Sequence, residues 1–70
     1  MIINKANYVA NELLEIITQI DPSIVGASYI CERGQELVQV RYSGGTAIVV
    51  NVTGDNLSAL ALDVAKAIAD

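Results

Sequence analysis

The chain has no histidine, phenylalanine or tryptophan, a single cysteine, a single proline, and only four basic residues against eight acidic ones. Each shortage closes a class of function. Without histidine the usual general base of nucleophilic catalysis is missing, and Cys31 has no imidazole to activate it. One cysteine forms no intramolecular disulfide, and with no histidine beside it no structural zinc site either. The free thiol fits a reducing compartment. Lys5, Arg33, Arg41 and Lys66 are scattered through a chain of net charge −4. That argues against direct nucleic-acid binding, because neutralising phosphates takes clustered cations. No apolar run approaches the ~20 residues of a bilayer span, and no basic segment leads into an apolar one at the start of the chain. The expectation is a cytoplasmic protein with no membrane partner.

What the chain does have is apolar residues, 53% of its 70 positions, nearly all aliphatic. A chain this short buries only about 60% of the surface its unfolded form exposes, so an apolar core and self-association are its two routes to stability. From Asn4 to Ile20, Ala6, Val9, Ala10, Leu13, Ile16, Ile17 and Ile20 recur at helical spacing. Asn4 is placed to cap this helix and Asp21-Pro22 to stop it. The period then becomes two. Val25, Ala27, Tyr29 and Cys31 alternate with Gly26, Ser28, Ile30 and Glu32; Val38, Val40 and Tyr42 with Leu37, Gln39 and Arg41; Ile48, Val50 and Val52 with Ala47, Val49 and Asn51. Short connections around Arg33-Gly34 and Ser43-Gly44-Gly45 predict antiparallel hairpins. A final helix follows Thr53-Gly54-Asp55, with Leu57, Leu60, Ala61, Val64 and Ile68 on one stripe and Thr53 or Asp55 as its cap.

The order αβββα predicts a single α+β domain over residues 1–70. It is a two-layer sandwich in which a three-stranded antiparallel meander carries both helices on one face. No catalytic residue, metal ligand or cofactor is expected. Cys31, in phase with Ala27 and Tyr29, reads as a buried inert thiol. Glu12 and Glu15 read as a solvated helix face, and Asp55 and Asp63 as too far apart, by more than two helical turns, to act together. Ser43-Gly44-Gly45-Thr46 lacks the lysine of a phosphate loop and precedes a strand, so it reads as a hairpin turn.

The remaining features are surfaces. With the helices on one side, the other sheet face displays Ile30, Leu37, Ala47 and Val49 among Gln39, Arg41 and other polar residues, an apolar centre with a polar rim. Tyr8, flanked by Glu12 and Glu15 on the outer side of the first helix, is a second candidate partner-binding surface, and Leu62 a weaker one. The outer strands leave free edges that can recruit another strand.

The segment Val40 to Ile68, Val-x-Tyr-x-Gly-Gly, then Val-Asn-Val-Thr-Gly-Asp-Asn, then Ala-Leu-Asp-Val, resembles a pattern in small uncharacterised proteins of phages and prophages of Gram-positive bacteria. The resemblance covers the C-terminal half and carries no catalytic residues. It implies a mobile-element product that binds a host or phage component in the host cytoplasm, among them stoichiometric inhibitors of defence systems such as anti-CRISPR proteins. The expected function is thus a non-enzymatic protein-binding module acting through Ile30, Leu37, Gln39, Arg41 and Val49, or through Tyr8, Glu12 and Glu15. The alternative is a structural homo-oligomer, such as a homodimer, joined by the open sheet face or the strand edges.

Overall fold

A computed structural model describes residues 4–69. Helix α1 is continuous through α-helical Lys5–Asn7, a π-helical stretch Tyr8–Leu13 and α-helical Leu14–Ile20. Strands β1 (Ile24–Glu32), β2 (Gln35–Tyr42) and β3 (Ala47–Asn51) follow, then helix α2 (Leu57–Ala69). The strands form one antiparallel sheet in the order β1-β2-β3, the expected meander. Both helices pack on the same side of it. Val9, Leu13 and Ile17 of α1, Leu60 and Val64 of α2, and Ala27, Val38 and Val40 of the sheet join in one buried cluster with Ile24 and Val52.

Local chemistry sets the boundaries. Asn4 Oδ1 accepts from the Ala6 amide at 2.8 Å, satisfying a donor that the first turn of α1 leaves free. Asp21, ahead of Pro22, leaves the helical region with φ −140° and ψ 102°. Its carboxylate then accepts from the Ser23 amide and hydroxyl at 3.0 and 2.6 Å, turning the chain into β1. In the β1–β2 turn, Arg33 and Gly34 both have positive φ, 51° and 78°. This is the two-residue geometry whose twist matches a hairpin.

The core departs from the expected one along α1, at the start of β1 and at Cys31. The buried residues of α1 are Val9, Leu13 and Ile17, four apart each time, whereas Ile16 and Ile20 are each 46% exposed. A pure α-helix rotates residues four apart steadily off one face. The π stretch bonds i to i+5, holds more residues per turn, and cancels that drift. Tyr8, expected on the outer side, is accordingly half-buried against the core.

In β1, Ile24 pairs with Tyr42 and Gly26 with Arg41, leaving Val25 as the extra residue of a β-bulge. The bulge flips the alternation, so Ile24 takes the core position and Val25, expected inside, is 61% exposed. Cys31, expected buried, is exposed. It is in phase with Ala27 and Tyr29, but burial fades along β1 from Ala27 to the hairpin end.

Candidate functional site

The alternation and the strand register together bring the predicted residues onto one open face of the sheet. Across the strands it reads in four rows: Gly26, Arg41 and Ala47; Ser28, Gln39 and Val49; Ile30, Leu37 and Asn51; Glu32 and Gln35. Val49 is 58% exposed, and Ile30, Leu37 and Gln39 are half-buried, on the sheet face opposite the two described helices. The large apolar residues, Ile30, Leu37 and Val49, sit in the two middle rows, and the small Ala47 lies beside Arg41. The two charged side chains, Arg41 and Glu32, stand at opposite ends.

Arg41 does not project from the face. Its Nη1 donates to Ser28 Oγ at 2.7 Å, and its guanidinium lies over Gly26, where a Cβ atom would collide with it. The absence of a side chain at Gly26 lets a cation rooted on β2 lie flat across β1. Gly26 is buried beneath it. Pinned by that hydrogen bond, the guanidinium keeps donors free for a carboxylate brought from outside.

The second predicted surface is less unified. Glu12 and Glu15 are exposed on α1, while Tyr8 turns partly into the core and is withdrawn from the role of projecting anchor.

Sequence reasoning missed a cluster of ionisable groups at the other side of the molecule. Lys5 Nζ on α1 and Glu36 Oε2 on β2 form an ion pair at 2.6 Å, which holds the Glu36 carboxyl below its ordinary range. Thr53, expected as a helix cap, bonds β2 instead: its hydroxyl accepts from the Glu36 amide at 2.9 Å. The cap of α2 is Asn56, whose Oδ1 accepts from the Ala59 amide at 2.8 Å. Asp55 is thereby outside the helix, in a turn closed by its amide on the Val52 carbonyl at 3.0 Å with Gly54 at φ 80°.

That turn folds the Asp55 carboxyl back against Asp63, so the two acids meet. A hydrogen bond to Asp63, then burial, then repulsion from the Asp63 charge raise the Asp55 pKa. When both are ionised neither can donate, and the buried Asp55 Oδ2 has no hydrogen-bond partner. Nearby, burial first and then the Glu36 carboxylate and the Cys31 thiol push the Tyr29 phenol up to about 12. Among the described residues no group of three or more histidine, cysteine, aspartate and glutamate side chains is arranged to hold a metal ion. Nor is any described helix long and apolar enough to cross a membrane.

Comparison with protein-family models, curated proteins and solved structures finds no match.

Proposed function

We propose that this chain is a non-enzymatic protein-binding module whose open sheet face occupies the surface of a protein partner stoichiometrically. One observation carries the reading. Val49, Ile30 and Leu37 form an apolar centre across three strands with no described helix above it, bordered by Gln39 and by an Arg41 already pinned in place. Burying such a centre supplies association energy, and a pre-ordered arginine at its margin loses little entropy on binding. The chemistry left elsewhere is poor in nucleophile and base pairs, which favours binding over catalysis. In the phage-protein reading the occupied surface belongs to a host or phage component, and blocking it inhibits a defence system.

The test is affinity for a purified protein partner before and after Ile30→Lys and Val49→Lys. The reading expects at least tenfold weaker binding with an unchanged far-UV spectrum. Unchanged affinity would refute it.

A second reading, association of the chain with itself, is favoured by the opposite charges at the two ends of the same face.

A further inference from the structure

We infer that the partner of the open sheet face is a second copy of this chain, stacked face to face with strands antiparallel, so that Arg41 of each copy meets Glu32 of the other. The inference rests on the reading of that face as a protein-binding surface and gives it a second copy as occupant in place of a host or phage component.

The Arg41 guanidinium, lying over Gly26, sits above β1, and Glu32 is on β1 as well. They are six positions apart along the strand, about 20 Å at the usual rise. The face therefore carries one positive and one negative charge, both along one margin and at opposite ends.

Homodimers close by two-fold symmetry, which brings the same patch together on both copies. A two-fold axis lying across the strands reverses their direction and returns β1 over β1. It sets the positive end of each face over the negative end of the other, making two reciprocal Arg41–Glu32 pairs. An axis running along the strands places β1 over β3 instead and leaves both charges unpaired. Facing sheets pack about 10 Å apart, a gap that an arginine and a glutamate reach across together. Between the pairs the two middle rows cross, so that Leu37 of each copy lies over Gln39 of the other, Ile30 over Ser28 and Val49 over Asn51, and all six apolar side chains are withdrawn from water.

The free edge of β1 offers a rival mode, since antiparallel β1–β1 pairing also brings Gly26 near Glu32. That mode leaves Val49, on the far strand, in water. A face of three strands is small, so the dimer falls at or below the low end of stable interfaces and forms at micromolar concentrations or above.

Sedimentation equilibrium from about 10 to about 500 µM, the range a small interface requires, tests this. Wild-type chain is expected to dimerise. Arg41→Glu and Glu32→Arg, each folded by circular dichroism, place two like-charge contacts in their own dimers and are expected to self-associate at least tenfold more weakly. Mixed in equal amounts they restore opposite charges at both contacts and are expected to associate several-fold more tightly than either variant alone. Val49→Lys is expected to abolish dimerisation.

A wild-type monomer throughout the range overturns the inference, as do single variants that dimerise like wild type. A dimer that responds to the charge variants yet survives Val49→Lys is edge pairing and also overturns it. If the wild type is monomeric but Val49→Lys still weakens binding to a different protein, the second-copy inference fails and the binding-face reading stands. If Val49→Lys alters neither, both fail.

Discussion

The guanidinium of Arg41 lies across Gly26 of the neighbouring strand, tied by a 2.7 Å hydrogen bond to Ser28. A glycine in mid-strand weakens a sheet by having no side chain to pack. Here the vacancy is filled by a cation from the next strand. Gly26→Ala meets only the far end of a flexible side chain, so Arg41 swings aside and the fold survives. We expect the melting temperature to shift little while self-association weakens several-fold. A large loss of stability would show that the glycine serves the fold and not the arginine.

The π stretch makes a sharp prediction about α1. Leu13, fully buried, should cost about 2–4 kcal/mol as Leu13→Ala, a large share of the stability of a domain this small. Ile16→Ser, at a position 46% exposed, should cost less than about 0.5–1 kcal/mol. Urea denaturation measures both. Equal costs would mean that α1 buries an ordinary α-helical stripe.

Arg33 adopts φ 51° in the β1–β2 turn, where asparagine and glycine are favoured over residues with long side chains. Arg33→Asn should stabilise the protein by a fraction of the roughly 1–2 kcal/mol that the left-handed conformation costs an ordinary residue. A loss would indicate that the Arg33 side chain makes a contribution its exposed position does not suggest.

Cys31 is exposed at the fading end of β1. The native protein should react with a water-soluble thiol reagent at nearly the rate of the unfolded chain. Protection that disappears only in denaturant would restore the buried-thiol expectation.

The Asp55–Asp63 acid pair and the Lys5–Glu36 ion pair give opposite pH dependences. The Asp55 pKa is raised in the folded state by Asp63 and burial, so its contribution is fully present below the unfolded value and is lost as pH rises through the folded one. Glu36 is lowered by Lys5, so its contribution is present above the unfolded value and is lost as pH falls through the folded one. Asp55→Asn retains a donor toward Asp63 and cannot ionise. Its gain in melting temperature over wild type should be larger at about pH 7 than at about pH 3, on either side of the carboxylate range. A gain independent of pH would remove the Asp55–Asp63 contact from the account.

Much of the architecture was legible because period-two and helical spacing report which face each residue occupies. Helix, meander and helix, and the shared face of Ile30, Leu37, Gln39, Arg41 and Val49, follow from alternation alone. What alternation cannot reveal is a change of its own phase. The bulge at Val25 and the π stretch at Tyr8–Leu13 each insert such a change, and both moved residues between core and surface. The Asp55–Asp63 encounter was hidden for a related reason. Helical arithmetic separates the two acids widely only if Asp55 belongs to the helix, whereas capping by Asn56 leaves Asp55 in a turn that doubles back. The course of Arg41 over Gly26 depends on the rotamer of one long side chain, which no pattern of residue types encodes.

If the open sheet face is the binding surface and its occupant is another copy, dilution must change the chemical environment of that face. In a dilution series of amide nitrogen–proton NMR spectra, concentration-dependent shifts are expected at Ile30, Leu37, Gln39, Arg41 and Val49, with Glu12 and Glu15 unmoved. Shifts confined to the β1 edge or to α1, or spectra that do not change with concentration, would contradict it.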